Sequence, residues 1–87
     1  MLTTTVASMN VNARLKNVFV QALETSPDVE IEKLEYRAYP GWDSVGHMRM
    51  IAALETEFGV LLETEQILDL NSFNRGLEIL KAHGIRD

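Results

Sequence analysis

Residues 43–60 read DSVGHMRMIAALETEFGV, a stretch with a polar start, a helical apolar pattern and a glycine stop. One set of apolar side chains recurs at intervals of three, four and seven residues: Met50, Ile51, Leu54 and Phe58. Positions at these intervals share one face of a helix, so the set predicts a helix that buries that face. Gly59 suits the left-handed conformation in which many helices end. We therefore expect a helix over residues 44–58.

The same helix carries another apolar set on its opposite side, named here the second stripe: Val45, Met48 and Ala52. Arg49 and Glu55 flank it. A small bundle has no further core to receive this stripe, so one interpretation is an exposed patch for a partner protein. The other interpretation is that the preceding loop covers the stripe. The pattern leaves both open.

The N-terminal part predicts one helix and then a long loop. The helix is expected to end near Thr25, because Pro27 lacks a backbone donor and disfavours helix in the residue before it. Its apolar stripe comprises Val11, Leu15, Val18, Phe19, Ala22 and Leu23. The loop runs to about Asp43, and its Ile31 and Leu34 are expected to enter the core. Three ring-bearing residues of the loop are expected to pack their rings and keep their polar tips in water: Tyr36, Tyr39 and Trp42.

The C-terminal part predicts a short third helix, from about Glu63 to Leu70, and a fourth helix. Asn71 or Ser72 can cap the fourth helix, and Gly84 can end it. We therefore predict an all-α fold, a small four-helix bundle with a short third helix and a long loop between helices 1 and 2. One domain is expected to occupy residues 1–87, with residues 1–7 flexible.

Composition restricts the classes of function. The 87 residues include no cysteine, which excludes disulfides, thiolate nucleophiles and Cys-based zinc sites. The formal net charge is -5, and residues 24–69 carry eleven acids against three bases. Such a field repels nucleic acid and attracts basic protein surfaces, although a solvated acidic surface explains the charge equally well. The sequence shows no leader and no membrane span, so we expect a soluble cytoplasmic protein.

Ser44 is open to three interpretations. As a nucleophile it would need a base such as His47, yet Gly41 and Gly46 do not form the G-x-S-x-G pattern and no strand precedes the serine. As a structural residue, Ser44 or Asp43 caps the helix. As an attachment site, a serine in the first turn is exposed near the positive end of the helix dipole, which suits a phosphodiester. We assign no catalytic residue and no metal ligand.

Motifs around Ser44 carry a family resemblance. The joint pattern of Asp43-Ser44-Val45, Leu54-Glu55 and Glu57-Phe58-Gly59-Val60 resembles the acyl carrier protein family, over roughly residues 8–85. The family pattern is Asp-Ser-Leu before a helix that ends in acidic residues and Phe-Gly. The resemblance implies that a phosphopantetheinyl transferase attaches 4′-phosphopantetheine from coenzyme A to Ser44, and that the thiol of this group holds an acyl group as a thioester.

The resemblance also implies roles for the neighbours of Ser44. It makes Asp43 the acidic partner of the serine, and the face of Val45, Met48, Ala52 and Glu55 the docking surface for enzymes. The further partners implied are an acyl-loading ligase or acyltransferase and downstream acyl-processing enzymes. We expect a monomer without nucleic-acid partners.

Departures from the family pattern indicate which carrier this is. Fatty-acid carriers usually place acids early in this helix, where Gly46 and Arg49 stand here, and peptidyl carriers usually show Leu-Gly-Gly where residues 39–42 read YPGW. We therefore expect a free-standing specialised acyl carrier of a dedicated fatty-acid or polyketide type pathway, with Arg49 discriminating among partners. The alternatives are a peptidyl or aminoacyl carrier, an unmodified acidic helical adaptor, and a small hydrolase that uses Ser44 and His47.

Overall fold

Four α-helices follow one another in residues 10–86, the part of the chain that the computed structural model describes. They are α1 (Val11–Leu23), α2 (Ser44–Phe58), α3 (Thr64–Asp69) and α4 (Phe73–Ala82). The loop between α1 and α2 contains a 3₁₀ turn, Ile31–Lys33. The prediction of an all-α fold with a short third helix and a long first loop is confirmed. The expectation for residues 1–7 lies outside the described residues.

Local sequence explains where α1 and α2 begin and end. The Asn10 side chain accepts a hydrogen bond from the Ala13 backbone N–H at 2.8 Å and caps α1. That helix ends at Leu23, two residues before the predicted end, because Glu24 adopts a left-handed conformation with φ of 53°. Gly59 is left-handed after α2, with φ of 66°, as the sequence predicts. Both helices therefore start and stop on short-range signals.

The C-terminal half follows its predicted pattern closely. Ser72, rather than Asn71, caps α4 by accepting a hydrogen bond from the Arg75 backbone N–H at 3.2 Å. Gly76 allows α4 to approach α1, since a Cβ atom there would lie 3.1 Å from Leu15 Cδ2. No helix within residues 10–86 has both the length and the hydropathy that crossing a membrane requires.

An aromatic cluster fills the centre of the core between α1, α4 and the α1–α2 loop. The ring of Phe19 meets Trp42 and Phe73 edge to face, with centroid distances of 5.2 and 5.4 Å. Ile31 and Leu34 are buried beside them, as expected. Trp42 departs from the expectation of a polar tip in water, because its side chain is 0% exposed and its indole N–H finds a partner inside the core.

That partner is His47, the one buried polar residue within the described chain. The Trp42 Nε1–H donates to His47 Nδ1 at 3.0 Å, and His47 Nε2 lies 2.8 Å from the Ile67 carbonyl oxygen. An indole nitrogen can only donate, so Nδ1 is the acceptor and Nε2 carries the proton that it donates to Ile67. The neutral imidazole thus joins the loop, α2 and α3.

We predict that His47→Ala destabilises the protein by about 2–4 kcal/mol, because it leaves a cavity and an indole N–H without a buried acceptor. Urea unfolding monitored by fluorescence of Trp42, the only tryptophan, measures the loss. The matched control is His83→Ala, since the His83 ring is half-buried and bonds only a side chain, that of Gln66. Equal effects of the two substitutions would contradict the central role of the Trp42–His47 bond.

Candidate functional site

Ser44 is the first residue of α2, and its side chain is exposed. The cap of the helix is Asp43, whose Oδ1 accepts a hydrogen bond from the Gly46 backbone N–H at 2.9 Å. Of the two capping residues that the sequence allowed, the structure therefore selects Asp43. The Ser44 hydroxyl is not needed to satisfy the helix terminus and is available for other chemistry.

Buried neighbours on both sides hold the start of α2 in place. Trp42 lies in the core before Ser44, and His47 lies in the core after it. Gly46 lets the loop cross the first turn closely, since a Cβ atom there would lie 2.4 Å from the Gly41 carbonyl oxygen. The sequence analysis named Gly46 as outside the G-x-S-x-G pattern and as a departure from the carrier pattern, and the structure shows that a larger residue would clash with the Gly41 carbonyl.

The phenol of Tyr36 is the side-chain partner of Ser44. Interaction with the Ser44 hydroxyl, and to a lesser extent with the Arg37 side chain, lowers the pKa of Tyr36 below its ordinary value. The nearby Asp43 carboxylate acts in the opposite direction. The sequence analysis missed Tyr36 and Arg37, because they precede Ser44 by eight and seven residues in an irregular loop.

An open depression of about 450 Å³ lies in front of Ser44. Its walls come from the end of the α1–α2 loop and the start of α2: Arg37, Tyr39, Pro40, Trp42, Asp43, Ser44 and Val45. Such a depression leaves room for a group attached to the serine. It does not enclose a substrate in the way a drug-sized ligand pocket does.

His47 cannot serve Ser44 as a general base. Its two ring nitrogens are engaged by Trp42 and the Ile67 carbonyl, and the residue is 9% exposed. The hydrolase alternative required His47 as its base, so this contact geometry argues against it. Within residues 10–86, no group of three or more potential ligand side chains is placed to hold a metal ion.

The second stripe is exposed. Val45 and Met48 are 63% and 61% exposed, and Ala52 is exposed as well. The interpretation in which the loop covers the stripe is wrong, because the loop packs Trp42 on the other side of the α2 start. Two large apolar residues that the sequence did not assign to this surface are also exposed, Leu61 at 79% and Leu68 at 77%. Ala52 and Leu61 line one shallow depression, so the apolar surface continues beyond α2.

The two charged residues that flank the second stripe also stabilise the fold. Arg49 Nε donates to the Ala22 carbonyl oxygen at 2.9 Å, in the last turn of α1, where a cation is favourable. Glu55 Oε2 accepts from the Leu62 backbone N–H at 2.8 Å. Glu55 therefore orders the loop after α2, which buries Leu62 and exposes Leu61.

We predict that Ser44→Ala raises the pKa of Tyr36 toward its ordinary value, because the hydrogen bond that lowers it most is lost. The chain has two tyrosines, so the titration of phenolate absorbance is done in a Tyr39→Phe background that leaves Tyr36 alone. Ser26→Ala in the same background is the control. An unchanged titration in Ser44→Ala would show that the two hydroxyls do not interact in solution.

Comparison with known proteins assigns no family to this chain. No family model, curated protein or solved structure matches it. The case for a function therefore rests on three features of the molecule: the exposed hydroxyl of Ser44, the depression in front of it, and the exposed second stripe that begins at Val45.

Proposed function

We propose that the chain is an acyl carrier protein that bears 4′-phosphopantetheine on Ser44. The single observation that carries this proposal is that Asp43 caps α2, so that the helix terminus does not use the exposed Ser44 hydroxyl at the rim of an open depression. The base that a hydrolase would use, His47, is engaged by Trp42 and the Ile67 carbonyl, whereas an attachment site needs only access. The resemblance of the surrounding motifs to acyl carrier proteins supports the same assignment.

The residues around Ser44 fit such a group. The serine side chain is exposed, and the depression beside it is open to solvent. When attached, the group supplies the thiol that this cysteine-free chain lacks. Ser44 Oγ forms the bond to phosphorus, the bond from that phosphorus to the nucleotide part of coenzyme A breaks, and the transferase accepts the serine proton.

The second stripe is proposed as the docking surface for partner enzymes. It begins next to Ser44 and presents apolar side chains on a helix whose other face is buried. Exposed apolar residues supply contact energy at interfaces, and the charges at their edge mainly affect encounter rate and specificity. Arg49 and Glu55 stand at that edge in positions set by backbone contacts. We assign the discrimination between a dedicated pathway and general fatty-acid enzymes to Arg49.

A second candidate function is an unmodified acidic helical adaptor. The observation that favours it is the extent of exposed apolar surface, which includes Leu61 and Leu68 in addition to the second stripe. An adaptor would bind a partner through this surface without any change at Ser44. Modification of Ser44 therefore separates the two candidates.

The proposal predicts that incubation with coenzyme A and a phosphopantetheinyl transferase raises the intact mass by one phosphopantetheine group, and that Ser44→Ala abolishes the increase. Asp43→Asn is the matched variant, because asparagine keeps the helix cap and removes the charge. We expect Asp43→Asn to be modified more slowly than the wild type and to have the same urea midpoint of unfolding. A known carrier protein in the same reaction is the positive control. If it is modified and the wild-type mass does not change, the carrier function is contradicted and the adaptor remains as the candidate function.

We further predict that Met48→Glu slows acyl loading by both a dedicated and a general fatty-acid enzyme without unfolding the domain, because Met48 is exposed. Arg49→Glu should slow the dedicated enzyme and speed the general one, by removing repulsion from its basic surface. Arg49→Lys is the control, since it keeps the charge but loses the Nε–H that bonds Ala22. If Arg49→Glu loads at wild-type rates with both enzymes, Arg49 does not select partners.

A further inference from the structure

We infer that Arg37 and Tyr36 form a binding site for the phosphodiester that would attach the arm to Ser44. This inference rests on the proposed carrier function and names residues of the chain that neither the motif nor the family resemblance includes. The site consists of the Arg37 guanidinium, the Tyr36 hydroxyl and the Ser44 side chain. We call it the phosphodiester site.

Geometry places these three side chains together. Arg37 and Ser44 line the same open depression. The Tyr36 phenol interacts with both side chains, and the Arg37 guanidinium lies 5.9 Å from the centre of the Tyr36 ring. A phosphorus atom bonded to Ser44 Oγ would therefore carry its free oxygens toward the depression that Arg37 lines and toward the phenol that interacts with Ser44. A guanidinium binds phosphate oxygens through charge-assisted hydrogen bonds, and a phenol adds one neutral O–H donor.

The positive charge of Arg37 is available for a ligand. Arg14 and Arg75 form ion pairs with Glu57 and Asp69, and Arg49 bonds a backbone carbonyl. Arg37 forms no ion pair with any carboxylate in residues 10–86. Its guanidinium instead lies 5.9 Å from the centre of the Tyr36 ring. An arginine in this state can take up an anion without giving up an acidic partner.

The core fixes the backbone that carries Arg37. This residue is left-handed, with φ of 71°, and its N–H donates to the Trp42 carbonyl oxygen at 2.9 Å. Trp42 is in turn anchored by His47 on α2, the helix that begins at Ser44. The Arg37 backbone and Ser44 are therefore both tied to the buried Trp42–His47 contact, which lowers the ordering needed to bring them to the same ligand.

The proposed role of Arg37 is to offset an electrostatic repulsion between the phosphodiester and Asp43. A phosphodiester on Ser44 places a negative charge beside the Asp43 carboxylate, in the most acidic part of the chain. Like charges at this range are unfavourable, and Arg37 offsets the repulsion. The ester also consumes the Ser44 hydroxyl proton. Tyr36 then loses a donor and gains an acceptor, so its own hydroxyl can donate to a phosphodiester oxygen.

The test compares melting temperatures of apo and arm-bearing protein for the wild type, Arg37→Gln and Tyr36→Phe. Arg86→Gln is the matched control, since Arg86 is exposed beside α1 and the end of α4. We expect the change in Tm on attachment to be about 2–6 °C less favourable in Arg37→Gln than in the wild type at low salt. Tyr36→Phe should give a smaller change of the same sign, and Arg86→Gln none.

High salt and phosphorus NMR complete the test. The difference due to Arg37 should shrink in 1 M salt, where screening acts over about 3 Å. The phosphorus resonance of the arm-bearing protein should move in Arg37→Gln and stay in place in Arg86→Gln. If the arm is attached but neither Tm nor the resonance depends on Arg37, the phosphodiester site is refuted and the carrier function stands. If Ser44 takes up no arm, both are refuted.

Discussion

The hydrogen bond between the Trp42 indole and the His47 imidazole is the contact on which the end of the molecule that carries Ser44 depends. It buries two polar groups at once, and the second imidazole nitrogen reaches the Ile67 carbonyl, so one side chain joins the α1–α2 loop, α2 and α3. Ser44 lies between the two partners in sequence. Because they are held inside the core, the residues between them are held at its surface, and the serine is presented from a rigid base.

Asp43 and Ser44, which lie between Trp42 and His47, have different roles at the start of α2. The carboxylate satisfies a backbone N–H of the first turn, which leaves the hydroxyl beside it without a structural duty. Gly46 makes the arrangement possible by letting the Gly41 carbonyl cross close to the helix. In sequence, Asp43 and Ser44 are two candidates for one helix cap. In the structure Asp43 is the cap and Ser44 is an accessible hydroxyl. Tyr36, which interacts with this hydroxyl, belongs to the α1–α2 loop.

The two faces of α2 differ, because one is buried in the core and the other is exposed. Met50, Ile51 and Leu54 fill the core, and the second stripe faces solvent. The flanking charges are attached to backbone groups: Arg49 to the last turn of α1 and Glu55 to the loop that exposes Leu61. These hydrogen bonds hold the charged side chains at the edges of the exposed apolar surface in place. A partner that docks on it would meet a nearly preformed surface, which lowers the ordering cost of binding.

The sequence by itself determined the four helices and most of their ends, because periodicity, caps and left-handed glycines act within a few residues of one another. It also placed Ser44 in the first turn of α2 and grouped Val45, Met48 and Ala52 on one side of that helix, since both follow from position along one helix, whereas the exposure of that side came from the structure. Only the tertiary structure decided that Trp42 is buried, that Leu61 faces out beside a buried Leu62, and that Tyr36 and Arg37 meet Ser44. The path of an irregular loop is set by which of its side chains the distant core accepts, and no local pattern in the chain encodes that choice.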